Sequence, residues 1–549
     1  MEVRHILSEQ EKEWLVSRQW YHQRFDGCLL IFSYIVEAHA RKEPRKENQE
    51  IDGSISTVKE QVLLHGQANI MLNFFFDGKT DYYIDIADNE QITKFFLEKS
   101  ETNPNFTKEF MKRWAEDEKD FVEVCNQIDN TKLNELSNEQ LISLHQEFGE
   151  KYTRRVTSSS VIDGFALGSD HIIAQKIHSH LKKIGKEKDY NFIFSILTAP
   201  VYISFTNEAE VSLLRIAQKI EKSAELKQLF LQHSEEEIMD ALNEHKEIYD
   251  RLVAHQKNFY WLHNNYVDAH ILPIEYFVYE IKKLLEEGHD ITNDVAFILS
   301  HSKENKEKKD KLIEELQLPS DVVALLRYSE DFTHWQDERK KATFFATHYF
   351  TVLLDEMARR TGFTLMELKY LLPHEIRYIF DGKITRKELQ KRMEGCMTAV
   401  RPESLTFIVG EEAAQLYEAV KRLDIPKDLK VIKGLPASLG KVVGIAKIVK
   451  SAKEIAKVNP GDILVAVMTR PDYVIGMKKA AAIVTDEGGL TCHAAIISRE
   501  FRLPCVIATK FATHVLCDGD KIEVDADKGE VRILKRAIAI HKSNTDREI

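Results

Sequence analysis

Residues 480–500, AAAIVTDEGGLTCHAAIISRE, decide the fold of the C-terminal part of the chain. The apolar run 480–484 predicts a buried strand, and Gly488 and Gly489 predict a turn directly after it. The residues that follow, from just before His493 onward, have the pattern of an amphipathic helix. A strand, a glycine turn and a helix in immediate succession therefore place one histidine at the start of a helix.

At that position His493 meets the free backbone N–H groups and the positive end of the helix dipole, which together favour phosphate. An imidazole, with an ordinary pKa near ~6.5, has a lone pair at neutral pH that can accept a phosphoryl group and pass it on. Thr491 can donate its hydroxyl to the phosphoryl oxygens or cap the helix, and the two roles are compatible. Gly488 and Gly489 let the backbone approach the phosphate, which a Cβ would block. We predict that His493 and Thr491 are catalytic and that the two glycines form the phosphate-binding loop.

The stretch resembles the phosphohistidine motif of the phosphoenolpyruvate-utilising enzymes, which include pyruvate,water dikinase, pyruvate,phosphate dikinase and rifampicin phosphotransferase. Further segments resemble the same family in the same order along the chain, namely 434–440, 469–472, 503–506 and 518–525. The resemblance implies that His493 is the phosphorylated residue and that residues 434–537 form a β/β/α swivelling domain. Two residues depart from the family pattern. Cys492 stands where many members have serine, and Leu439 replaces a proline that is usual in the opening turn.

The rest of the chain predicts a different, mainly helical region. Of the 22 glycines, 9 lie in residues 434–549, so the longer preceding part has few helix breakers. Residues 74–84 predict a small β-hairpin with an Asp-Gly turn, whereas residues 8–40 predict one or two helices. We therefore predict a multidomain chain of α and α/β class, whose parts are a mainly helical region (1–425), a linker (426–433), the swivelling domain (434–537) and a tail (538–549).

The composition argues against several classes of protein. The net charge is −12, from 76 basic and 88 acidic residues, which argues against a general binder of nucleic acid or anionic membranes. The six cysteines are widely spread, without a CxxC pair or Cys/His ligand spacing, so we predict no metal site and a reducing compartment. The N-terminus lacks an apolar signal segment, and no apolar run approaches the ~20 residues that span a bilayer. We expect a cytoplasmic protein.

No part of the chain resembles the ATP-grasp domain or the phosphoenolpyruvate-binding barrel of complete family members, and no GxxxxGK[ST] motif occurs. We therefore expect a short form of the family that binds no cofactor itself. Mg²⁺ and ATP would then be held at the donor site of a separate ATP-grasp partner. The acceptor would be a small molecule or a protein, which the sequence does not identify.

Three basic residues outside the loop are further candidates. Arg499 follows His493 by six residues on the predicted helix and makes either a local ion pair or a contact with a docking domain. Arg339 and Lys340 form a basic cluster in a region that weakly resembles the helical domain of rifampicin phosphotransferase. The cluster either meets a phosphoryl group or forms a solvated face.

Two functions are consistent with these features. The first is a phosphotransferase of the dikinase type, or a subunit of one, that carries a phosphoryl group on His493 from a donor site on another chain to an acceptor. The second is a non-enzymatic regulatory or interaction protein that retains the swivelling domain as a docking module. The complete Gly-Gly-x-Thr-x-His motif favours the first function, and the lack of a recognisable nucleotide domain favours the second.

Overall fold

The computed structural model describes residues 2–40, 70–401, 404–421, 429–450, 452–469, 473–489 and 492–537. These residues divide into two compact units. The first unit comprises Met1–Ala166, Pro200–Glu307 and Arg327–Lys421, and the second comprises Leu167–Ala199, Lys308–Leu326 and Arg422–Ile549.

The first unit contains a six-stranded sheet. Its strands are β1 (Glu2–Arg4), β2 (Trp20–Asp26), β3 (Met71–Phe76), β4 (Lys79–Asp85), β5 (Cys396–Val400) and β6 (Ser404–Val409). Their order is β1-β6-β5-β3-β4-β2, and β1 pairs with β6 in parallel while the other pairs are antiparallel.

Strands β3 and β4 form the hairpin expected from the sequence, and Asp77 and Gly78 in its turn have φ of 54° and 68°. The expectation of a small hairpin was incomplete, because β5 pairs with β3 and β2 pairs with β4 from distant parts of the chain. The expectation of helix over residues 8–40 was wrong for residues 20–26. These residues pair with β4 along their whole length, and that tertiary pairing outweighs the local pattern.

Helices make up most of the rest of residues 2–421, which confirms the mainly helical N-terminal region. They are α1 (Glu9–Ser17), α2 (Leu29–Ala40), α3 (Ile86–Thr102), α4 (Phe106–Asp129), α5 (Asn138–Ser159), α6 (Val161–Lys183), α7 (Tyr190–Leu197), α8 (Phe205–Lys222), α9 (Ala224–Gln232), α10 (Glu235–Ala241), α11 (Lys246–Phe259), α12 (Ile274–Glu286), α13 (Ile291–Leu316), α14 (Ser320–Thr361), α15 (Leu365–Leu368), α16 (Arg386–Glu394) and α17 (Glu411–Lys421). Aromatic side chains such as Phe121, Phe148 and Phe350 form the buried core between α4, α5 and α14.

The second unit contains an eight-stranded sheet with short helices between its strands. The strands are β7 (Val431–Lys433), β8 (Leu435–Ser438), β9 (Lys441–Ile448), β10 (Ile463–Ala466), β11 (Ala482–Thr485), β12 (Cys505–Ile507), β13 (Lys521–Asp525) and β14 (Glu530–Lys535), and the helices are α18 (Val474–Met477), α19 (His493–Glu500) and α20 (Ala512–Val515). The strand order is β7-β14-β13-β9-β10-β11-β12-β8. Val465, Val484 and Val506 are fully buried in one apolar core. The predicted β-rich C-terminal domain is therefore confirmed.

Parallel pairing in the middle of this sheet positions the candidate site. Strands β9, β10, β11 and β12 pair in parallel, and Ala466 at the end of β10 is in register with Thr485 at the end of β11. The carboxyl ends of parallel strands lie at one edge of a sheet, so the loops that follow β10 and β11 leave from the same edge. This edge carries the glycine loop and the start of α19.

Helical segments also belong to the second unit. Residues 167–199 and 308–326, which include α7, cluster with the sheet, although the sequence assigns them to the helical region. The predicted boundaries at 425 and 434 stay predictions. Residues 426–428 of the linker and the whole 538–549 tail lie outside the described residues, whereas residues 431–433 of the linker form β7. Among the described helices, none has both the length and the apolarity needed to cross a bilayer.

Asp486 fixes the loop that follows β11. Its buried carboxylate accepts hydrogen bonds from the Thr513 backbone N–H at 3.0 Å, from Thr509 Oγ1 at 3.2 Å and from the Thr513 hydroxyl. Burial raises the pKa of this carboxyl, and the hydrogen bonds from Thr513 and Thr509 oppose the rise. Asp486 thereby ties the end of β11 to the start of α20.

We expect Asp486→Ala to destabilise the central strands by about 2 kcal/mol, because the half-buried Thr513 N–H loses its acceptor and Thr509 Oγ1 keeps only its hydrogen bond to the Thr485 carbonyl. Hydrogen exchange of the β10 and β11 amides in the full chain measures this loss. Asp527→Ala is the matched control, since exposed Asp527 accepts one hydrogen bond, from the Gly440 N–H. Equal protection in the two variants would contradict the role assigned to Asp486.

Candidate functional site

His493 is the first residue of α19, as the sequence predicts, and its side chain is half-buried. Cys492 precedes it in an extended conformation (φ −70°, ψ 162°) and makes no side-chain capping hydrogen bond. The backbone N–H groups of the first turn of a helix have no partners within the helix. The imidazole therefore lies beside a group of donors that can bind an anion.

Thr469 contacts the ring of His493. Its Oγ1 lies 2.9 Å from His493 Nδ1, and the Thr469 side chain is almost fully buried. Thr469 follows β10 and His493 follows β11, so the parallel pairing of these strands brings the two side chains together. The sequence analysis did not include Thr469 among the site residues. The signal that could have identified it is its place just after the strand next to the glycine loop.

A side chain at either glycine of the loop would approach a neighbouring side chain closely. Gly488 has φ of +120°, and a Cβ there would lie 2.8 Å from Cys492 Sγ. A Cβ on Gly489 would lie 2.5 Å from Asp170 Oδ2. These approaches fit a loop whose backbone is closely surrounded, and the binding of phosphate by the loop stays a prediction. Thr491, the other predicted catalytic residue, lies outside the described residues.

Asp170 of α6 is a second group that the sequence analysis missed. Its carboxylate lies against Gly489, more than 300 residues away along the chain, and no local motif marks it. Burial raises the pKa of the Cys492 thiol, and the charge of Asp170 adds to the rise while that of Arg499 opposes it. A carboxylate therefore belongs to the immediate surroundings of the histidine loop.

Arg499 is buried in the second unit. Only 5% of it is exposed, its Nη1 donates to the Ala437 carbonyl at 3.3 Å, and its guanidinium carbon lies 5.0 Å from the Phe194 ring centre. Burial lowers the pKa of the guanidinium, although an arginine remains charged at neutral pH. Arg499 thus connects α19 to β8 and α7.

Arg339 and Lys340 lie in the first unit, whereas His493 lies in the second. Arg339 is half-buried and its Nη1 donates to the Ser159 carbonyl at 3.3 Å. Lys340 is exposed, with Nζ 5.6 Å from the Phe344 ring centre. The two side chains are therefore not equivalent, since Arg339 packs against α5 and Lys340 extends toward solvent.

Part of the chain is similar to known proteins. The family described as "PEP-utilising enzyme, mobile domain" matches residues 458–529. A probable phosphoenolpyruvate synthase of Archaeoglobus fulgidus is 59% identical over 168 residues, which are 30% of this chain and 20% of that protein. The phosphoenolpyruvate synthase of Pyrococcus furiosus is 40% identical over 166 residues, 30% of this chain and 18% of that protein.

A shorter match is to a phosphotransferase. The uncharacterized phosphotransferase YvkC of Bacillus subtilis is 43% identical over 104 residues, which are 19% of this chain and 12% of that protein. The chain therefore spans about a fifth or less of the length of these three relatives.

Replacing Thr469 by valine removes the hydroxyl at similar side-chain volume. We expect the rate of His493 phosphorylation to fall about 10- to 100-fold, because the hydrogen bond that fixes the tautomer and orientation of the ring is lost. Treating the full chain with phosphoramidate, a small-molecule phosphoryl donor, and following phosphohistidine by ³¹P NMR measures the rate. Thr469→Ser keeps the hydroxyl and should retain most of it. A valine variant as fast as the wild type would exclude an orienting role for Thr469.

Proposed function

We propose that this chain, which carries a mobile phosphohistidine domain of the phosphoenolpyruvate-utilising enzymes, is a phosphotransferase or phosphotransferase subunit of the dikinase type. The observation that supports this most directly is the 2.9 Å contact between Thr469 Oγ1 and His493 Nδ1. In the proposed arrangement Nδ1–H donates to the threonine oxygen, so the lone pair of the imidazole is on Nε2. That nitrogen is the nucleophile.

The first transfer forms an N–P bond between Nε2 of His493 and the incoming phosphorus. The P–O bond to the leaving group breaks, and its electron pair leaves with the donor's oxygen. The second transfer reverses this at the histidine. An acceptor oxygen bonds to phosphorus and gives up its proton, and the N–P electron pair returns to Nε2. The histidine thus divides one difficult transfer into two easier ones.

The surroundings of His493 suit the charge of a phosphoryl group. The first turn of α19 supplies N–H groups and the positive end of the helix dipole. Gly488 and Gly489 have no Cβ that would keep a phosphate from their backbone N–H groups. In the proposed site the Thr491 hydroxyl is a further donor. The charge that spreads over the phosphoryl oxygens during transfer is stabilised in this way.

The donor in our proposal is held on another chain. The sequence contains no GxxxxGK[ST] motif, and the matched relatives are several-fold longer than the part they share with this chain. We therefore propose that a separate ATP-grasp protein holds Mg²⁺ and ATP and phosphorylates His493. The alternative, a non-enzymatic docking module, requires that His493 is not phosphorylated by any donor.

The proposed acceptor site lies in the first unit. Arg339 and Lys340 offer positive charge on α14, which can receive a phosphoryl group. A cleft of about 400 Å³ between α8 and α11 is a second location in the same unit. It is lined by apolar side chains and by six polar or charged ones, Glu208, Ser212, Arg215, Arg251, His255 and Asn258. Concave, largely apolar clefts with a few polar groups are typical sites for small molecules.

We expect His493 to be the single acid-labile, base-stable phosphorylation site of the chain. Intact-mass measurement and peptide mapping after incubation with phosphoramidate, or with ATP and an ATP-grasp protein, would detect it. His493→Ala should abolish the modification. His514→Ala is the matched control, because His514 Nδ1 also faces a threonine hydroxyl (Thr513, 3.3 Å) but its side chain is 57% exposed. Phosphate retained in His493→Ala would refute the assignment, and no phosphohistidine in the wild type would favour the docking module.

We expect Arg339→Ala/Lys340→Ala to leave phosphorylation of His493 intact and to slow onward transfer at least about tenfold, since the acceptor site loses two positive charges. The decay of phosphohistidine in the presence of candidate acceptors measures the transfer. Lys94→Ala/Lys303→Ala is the control, because both lysines are exposed in the first unit. Each forms an ion pair with the glutamate four residues later in its helix, at 4.0 Å for Lys94 and 3.9 Å for Lys303. Normal transfer by the Arg339/Lys340 variant would exclude this cluster and leave the cleft as the location to test.

A further inference from the structure

Residues 167–199, which we call the helical seat, hold the C-terminal sheet of the second unit by specific contacts. The carboxamide of Asn191 makes two hydrogen bonds with the backbone of Leu439. Its Nδ2 donates to the Leu439 carbonyl at 3.1 Å, and the Leu439 N–H donates to its Oδ1 at 2.7 Å. A single side chain thereby binds the opening turn between β8 and β9 through both backbone groups.

The identity of residue 439 makes this contact possible. Leucine supplies the N–H that donates the shorter bond, at 2.7 Å. A proline at this position has no N–H and could not donate to Asn191.

A buried contact accompanies the Asn191 pair. The Arg499 guanidinium packs on Phe194 of the seat, and Phe194 and Tyr190 are almost fully buried. Arg499 belongs to α19, the helix that begins at His493. The seat therefore contacts both the opening turn and the helix that carries the histidine.

The third contact is at the histidine loop itself. The Asp170 carboxylate of the seat lies so close to Gly489 that a Cβ there would be 2.5 Å from Oδ2. The negative charge of Asp170 contributes to the raised pKa of Cys492, the residue before His493. Asp170 also interacts with the positive charge of Arg499. A carboxylate is a poor ligand for phosphate because both are negative.

We propose that the seat binds the domain while His493 is unphosphorylated and releases it when His493 is phosphorylated, with Asp170 as the group that senses the phosphoryl charge. This inference rests on the proposed function, because it requires phosphorylation of His493. A phosphoryl group adds negative charge and oxygen atoms beside the Asp170 carboxylate, in surroundings partly removed from water. Like charges repel there, and the contacts of Asn191 and Arg499 with the seat are lost together with that of Asp170.

The coupling is reciprocal. If phosphorylation weakens binding to the seat, binding to the seat must disfavour phosphorylation by the same factor. Removing the Asp170 charge should therefore raise the extent to which His493 is phosphorylated at a fixed donor concentration. The seat binds the domain with unphosphorylated His493, and the phosphorylated domain is released and can move to another site.

Hydrogen exchange of the full chain, with and without phosphoramidate, tests the proposal. Phosphorylation should raise exchange of the Leu439 amide and of the α7 amides about tenfold or more. His493→Ala should show no change with the reagent. Asp170→Asn should be phosphorylated to a greater extent and show little increase in exchange. Asn191→Ala should exchange rapidly in both states, because the seat contact is already weakened.

Asp189→Asn is the matched control, since Asp189 is an exposed carboxylate of the same seat, and it should respond like the wild type. Phosphorylated wild type with unchanged exchange, or Asp170→Asn with a response equal to the wild type, would overturn the inference and leave the proposed function standing. A wild-type chain that forms no phosphohistidine would overturn both.

Discussion

The parallel pairing of β10 with β11 is the constraint on which the site depends. It aligns Ala466 with Thr485, so that the two following loops leave the sheet at one edge. Thr469 and His493 lie 24 residues apart in the chain, and only this register brings Oγ1 within 2.9 Å of Nδ1. A shift of one residue in this register would displace the two loops along the sheet and separate the two side chains. The buried core of the sheet therefore also fixes the geometry of the imidazole.

The loop between β11 and α19 is anchored at its start, whereas His493 at its end is only half-buried. Asp486 anchors its beginning through Thr509 and Thr513. Gly488, with φ of +120°, turns the backbone where another residue would be strained. The half-buried His493 follows at the first turn of the helix. A phosphoryl carrier needs this combination, because the reactive nitrogen must be reachable by two partners while its orientation stays fixed.

Groups of opposite charge lie around the loop. The N–H donors of the helix start follow the loop, and the Asp170 carboxylate lies against Gly489 within it. Such an arrangement is neutral toward an uncharged imidazole and sensitive to a phosphoryl group. Arg499, which is buried against Phe194, adds a positive charge that interacts with Asp170. In the proposed mechanism, the affinity of the helical seat for the domain depends on whether His493 is phosphorylated. The Asp170 carboxylate is the charge of the seat that would make this difference.

The sequence by itself determined the strand, glycine turn and helix around His493, because hydrophobic periodicity and glycine act locally. It also determined the hairpin turn at Asp77 and Gly78. The tertiary structure alone decided that residues 20–26 are a strand, because their partner β4 lies about 60 residues away. It alone placed Asp170 beside Gly489 and Asn191 beside Leu439, contacts across more than 240 residues that leave no periodic pattern. Helix, strand and turn preferences depend on neighbouring residues in the sequence, whereas long-range contacts depend on how whole helices and strands pack.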